Sequence, residues 1–154
     1  MRPIAKDVAT VSIEPGRTLA AGAILVNLSR HLAERYDEQY DILPSIDLSL
    51  PEQDFTCDLG LFPPRKTNWL NDEIRVGPPI SAFEIVMPTE TPESLAETIR
   101  RHYFANGVQS AWVISPRQKS ITLLHPNQPA HVFASGLIHD LATGLEVDLD
   151  EVFA

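Results

Sequence analysis

The chain is 154 residues long, 44% hydrophobic and 21% charged, which suits one domain with a single core and counts against a disordered or collagen-like chain. Twelve basic residues stand against 21 acidic ones, a net charge of −9, which disfavours a protein that coats nucleic acid with its whole surface. A lone cysteine, Cys57, rules out an intrachain disulfide framework, and no apolar run approaches the roughly 20 residues of a membrane-spanning helix. The N-terminal basic residues are not followed by an apolar run either, so the expectation is a cytoplasmic protein with no membrane partner.

Residues 8–13 alternate small and β-branched side chains up to the turn Glu14-Pro15-Gly16, which predicts a short strand within an extended arm over residues 1–16. Residues 17–36 carry Leu19, Ile24, Leu25, Leu28, Leu32 and Ala33 at helical spacing, opposite Arg30, Glu34 and Arg35. Ile42, Ile46, Leu48 and Leu50 then alternate with polar residues between Pro44 and Pro51, a strand with one wet face. Residues 56–62 read as a second strand, residues 65–79 as a polar surface loop, and residues 80–87 as a strand buried on both faces. Thr91 and Pro92 are a helix N-cap and first position, and the helix they open carries Leu95, Ile99 and Tyr103 before stopping at Asn106-Gly107. Residues 110–114 form a third buried strand, residues 120–124 and 130–134 a hairpin, and Asp148 or Asp150 caps a short terminal helix. Strand–helix–strand from residue 80 to residue 114 implies a parallel pair with a helical crossover, hence an α/β fold with a mixed sheet. No repeat or linker divides the chain, so residues 1–154 are expected to be one domain.

Two acids stand where charge is costly. Asp58 lies between Cys57 and Leu59, and Glu84 between Phe83 and Ile85. A buried carboxylate needs a cation, donors or a raised pKa, and two on neighbouring strands would suit a hard divalent cation such as magnesium. Equally open is that each faces solvent or pairs with Arg65, Arg75 or Arg100. The five histidines show no metal-binding helical spacing, and the seven glycines form no phosphate-cradling loop. A strand cysteine beside a carboxylate should have a raised pKa, which leaves Cys57 inert. Trp112 reads as core, Trp69 as exposed, and Glu97–Arg101 as a solvated ion pair.

The order of these pieces resembles the Uma2 family of the restriction-endonuclease-like, or PD-(D/E)XK, superfamily, common in cyanobacteria. The resemblance rests on a strand with an embedded Asp, a buried strand with Glu84 followed by Pro88, and Tyr103-Phe-Ala-Asn-Gly-Val108. Ala111-Trp-Val-Ile-Ser-Pro116, the hairpin, Asp140-Leu-Ala-Thr-Gly-Leu145 and Leu149-Asp-Glu-Val-Phe153 complete it. It runs from about Arg17 to the C-terminus and implies a restriction-endonuclease-like core, a mixed β-sheet flanked by helices.

By that resemblance Asp58 and Glu84 take the places of two magnesium (or manganese) ligands, with Cys57 where the family has Pro. The family's catalytic lysine, four residues before Tyr103, is here Ile99, and its Asp four earlier is Leu95. Leu95, Ile99 and Tyr103 then form one apolar stripe, which reads as a partly degraded nuclease site that is weak or inactive. Two further readings stand beside it: an active magnesium-dependent DNA endonuclease in which Arg100 replaces the lysine, and a non-catalytic protein-interaction or regulatory module. DNA is the implied partner, although the acidic charge disfavours it, and the hairpin edge together with the resemblance implies a homodimer.

Overall fold

A computed structural model describes residues 17–65, 69–71 and 75–154, and the backbone of residues 2–3. The strand expected over residues 8–13 lies outside the described residues. The elements are β1 (Arg2–Pro3), α1 (Leu19–Tyr36), β2 (Asp41–Ser49), β3 (Asp54–Phe62), β4 (Arg75–Val76), β5 (Ser81–Ile85) and α2 (Pro92–Thr98). After α2 the helix continues as a π-helical turn over Ile99–Tyr103 and a 3₁₀ turn over Phe104–Asn106. Then follow β6 (Ser110–Ser115), β7 (Ser120–Leu124), β8 (His131–Phe133), β9 (Leu137–His139), β10 (Glu146–Asp148) and α3 (Leu149–Val152).

The main sheet runs β4-β2-β3-β5-β6-β7-β8, with β1 paired to the start of β3 and a separate β9–β10 pair. β5 and β6 are parallel and joined through α2, as the crossover rule requires. β4 also lies parallel to β2, and the other pairings are antiparallel. The fold is α/β with a mixed sheet flanked by helices.

Alternation along β6 divides the core into two layers. Trp112 and Ile114 join Leu59, Leu61, Phe83 and Ile85 beneath α1 and α3, where Trp112 stacks on Phe83 at 5.1 Å. Ala111 and Val113 face the other way, with Phe55, Cys57 and Ala82 beneath Leu95, Ile99 and Tyr103. At roughly 25 cal/mol per Å² of apolar surface removed from water, these two layers supply the main driving force for folding.

Four expectations need correction. Leu19 and Ala33 do not belong to the buried stripe of α1; Leu19 is 95% exposed in the first turn, while Ala21 and His31 are buried instead. Pro44 does not bound β2 but lies within it, level with Leu59. Among the described residues β4 pairs only with Asp47 and Leu48, which leaves Pro44 on an edge stretch of β2, where proline is tolerated. The stretch expected as loop from residue 65 contains β4. The second helix is not uniform, because the i→i+5 turn interrupts it. Its start is as read: the Thr91 hydroxyl accepts from Ser94 N–H while the Ser94 hydroxyl accepts from Thr91 N–H, a capping box with Pro92 behind it.

Candidate active site

The two acids sit where β3 and β5 stop pairing. The antiparallel ladder ends at Leu59↔Phe83, and one step further along this register Asp58 faces Glu84. No backbone bond continues it there; Asp58 Oδ2 instead accepts from the Ile85 N–H at 2.7 Å. The carboxylate thus serves as an acceptor for β5 where the recorded ladder ends. At the same level the inward alternation changes phase in β3, since Phe55 and Cys57 face the α2 layer but Leu59 and Leu61 the α1 layer. β2 changes with it across Ser45, whose φ of 51° lies in the left-handed region.

Arg17 closes this break. Its Nη1 donates to Asp58 Oδ1 at 2.8 Å and its Nη2 to Ser45 Oγ at 3.2 Å. Asp58 is buried and the Arg17 side chain is 28% exposed, so the pair is shielded from full solvent screening. Reading the sequence missed Arg17. The available signal was a cation immediately before the Thr18 N-cap of an 18-residue helix that has no acid in its first turn. There the helix dipole disfavours positive charge unless an anion lies near.

Glu84 is fully buried in β5, every residue of which is buried. Its Oε1 accepts from the Tyr103 hydroxyl at 2.8 Å. Burial pushes the Glu84 carboxyl up to about 7; the neighbouring Asp58 charge adds to this, while hydrogen bonds from Tyr103 and Cys57 oppose it. Burial, and then the Glu84 charge, raises the Cys57 thiol and the Tyr103 phenol well above their ordinary values. Cys57 is therefore a poor nucleophile at neutral pH.

The structure does not bring Arg100 to these acids. Its guanidinium donates to the carbonyls of His125 (3.1 Å) and Gln128 (2.8 Å) on the turn after β7 and lies 6.0 Å from the Phe104 ring centroid. Arg65 lies near Asp41 and Arg75 near Asp54. Glu97 and Arg101 form an exposed ion pair, Trp69 is exposed and Trp112 is core. Ile99 is fully buried in the α2 layer with Leu95 and Tyr103.

As arranged, these residues do not fit a hard divalent cation. Magnesium keeps several waters and takes ionised oxygens. Here one carboxylate has its oxygens on a guanidinium and a backbone N–H, and the other is sealed under Tyr103. Among the described residues, no three His, Cys, Asp or Glu side chains are grouped so as to hold a metal ion. A cavity of about 400 Å³ opens nearby at the ends of β5 and β6, lined by Thr18, Val86, Met87, Ser115 and Arg117 among others, but neither acid lines it.

A mixed sheet with a parallel central pair, helices on both faces and two acids at the end of a broken ladder defines a restriction-endonuclease-like α/β protein. The chain belongs to the Uma2 family, described as "Putative restriction endonuclease", whose family model matches residues 10–150. Among solved structures it is similar to a chain from Anabaena variabilis ATCC 29413 described as "a putative nuclease belonging to DUF820". The two share 17% identity with a TM-score of 0.76, over 96% of this chain and 87% of that one, a likeness that speaks for the fold. No curated protein matches the chain. Among the described residues, no helix is long and apolar enough to cross a membrane.

Proposed function

We propose that this protein is a restriction-endonuclease-like domain whose metal-dependent nuclease site is degraded, so that DNA cleavage is weak or lost. The observation that carries this reading is Ile99, fully buried at the position where the family resemblance calls for a lysine. A lysine there would orient the attacking water and compensate the charge building on the phosphate. Losing one such electrostatic contact typically costs roughly two to three orders of magnitude in rate. Arg100 cannot take over while both its arms are committed to carbonyls at the far end of the helix layer. The metal that would serve a working site is magnesium or manganese, with Asp58 and Glu84 as candidate ligands, and the substrate class would be DNA. Incubation of an end-labelled DNA duplex with the protein and MgCl₂ should give background cleavage on a denaturing gel. Efficient magnesium-dependent cutting would overturn the reading.

A homodimer is part of the same proposal. β8 ends the main sheet, and Val132, Leu137 and Leu141 around that edge are exposed. An open edge with apolar neighbours favours pairing with a second copy. Multi-angle light scattering at micromolar concentration should give twice the chain mass; a 17.1 kDa species would end this claim.

A further inference from the structure

We infer that Arg17 is a resident cation at Asp58, standing where a working nuclease of this fold would need a divalent cation. The inference rests on the degraded-site reading and adds what replaced the metal. Two of the hydrogen bonds to Asp58, one at each oxygen, do different work. One links β3 to β5 through the Ile85 N–H, and the other meets the guanidinium. The second arm of the guanidinium reaches Ser45 on the neighbouring strand, at the point where both strands change phase. One planar fork therefore ties the start of α1 to two strands at once, a geometry that the compact ammonium of lysine does not reproduce.

The substitution has a chemical consequence. A guanidinium offsets the Asp58 charge permanently, since it does not lose its proton in proteins. It offers no coordination position, so it cannot bind a water and lower that water's pKa, which is the step a metal supplies. Arg17 is thus a positioning residue: it preserves the shape of the metal site and closes it to metal. Its placement against the dipole of α1, with no acid in the first helical turn, makes Asp58 the anion that keeps it there.

Manganese binding followed by electron paramagnetic resonance tests this without reference to activity. Millimolar protein should leave the free-ion signal of Mn²⁺ unchanged in the wild type. Arg17→Met, which keeps the aliphatic stem and removes the charge, should reduce that signal, and Arg17→Met/Asp58→Asn should restore it. Melting supplies the second measurement. Arg17→Met should lower Tm by roughly 5 °C in the wild type and by less than about 2 °C in an Asp58→Asn background. Asp58-dependent Mn²⁺ binding by the wild type, no binding by Arg17→Met, or equal Tm losses in the two backgrounds would each overturn the inference. None of these results depends on whether the wild type cuts DNA, which separates this claim from the functional reading.

Discussion

Ile99→Lys should lower the stability of the folded protein by about 2–5 kcal/mol, the range spanned by disruptions of well-packed core positions. Ile99 is fully buried with Leu95, Tyr103 and Val113 in the α2 layer, so the ammonium enters an apolar site already filled by a side chain of similar volume. Glu84 is hydrogen-bonded to Tyr103, which packs in the same layer as Ile99. If the new lysine reaches Glu84, the loss falls toward the lower end of the range, because a paired charge is far less costly to bury than an isolated one. Urea denaturation of both proteins at one pH measures the difference. A loss below about 1 kcal/mol would mean that position 99 is not the sealed core site described above.

Stability should fall by about 3 kcal/mol as pH rises from about 5 to about 8, and Glu84→Gln should remove that fall. The folded-state pKa of Glu84 is about 7, against an ordinary value of 4.5. Between these values the native state holds a proton that the unfolded chain has released. Stability from this group is therefore fully present below about pH 4.5 and is lost as pH rises through 7. Glutamine retains an oxygen for the Tyr103 hydroxyl and cannot ionise, so it isolates the titration. Parallel denaturation curves at the two pH values for wild type and Glu84→Gln decide this. An equal pH dependence in both proteins would place the Glu84 charge outside the buried environment.

Much of this architecture was legible because most elements carry a local signal. Glu84 was readable as an anomaly from its neighbours alone, and the Thr91-Pro92 start of α2 from capping chemistry. The π-helical turn was not, although its trace is present: Leu95, Ile99 and Tyr103 repeat every fourth residue, a spacing that overshoots an α-helical turn slightly at each step. The wider turn at Ile99–Tyr103 absorbs that drift and holds the last two on the sheet. Pro44 inside β2 was misread because the rule against proline in strands depends on whether the strand is an edge, which the reach of β4 among the described residues decides. The candidate site was half legible. Its acids announced themselves in apolar strands, whereas the cation lies 41 residues from Asp58 and is brought there by the packing of α1. Such long-range pairs leave no spacing to read. The same holds for His31 with Glu151 and for His125 with the buried Asp140.

The most direct measurement of the central claim is the ratio of supercoiled-plasmid nicking rates between wild type and Glu84→Ala, in Mg²⁺ and again in Mn²⁺. A degraded site predicts a ratio near unity in both metals, because removing a carboxylate that supports no catalysis changes nothing at the phosphate. A wild-type rate exceeding that of Glu84→Ala by about two orders of magnitude or more, the effect of removing a working electrostatic group, would contradict the account and make the protein an active nuclease.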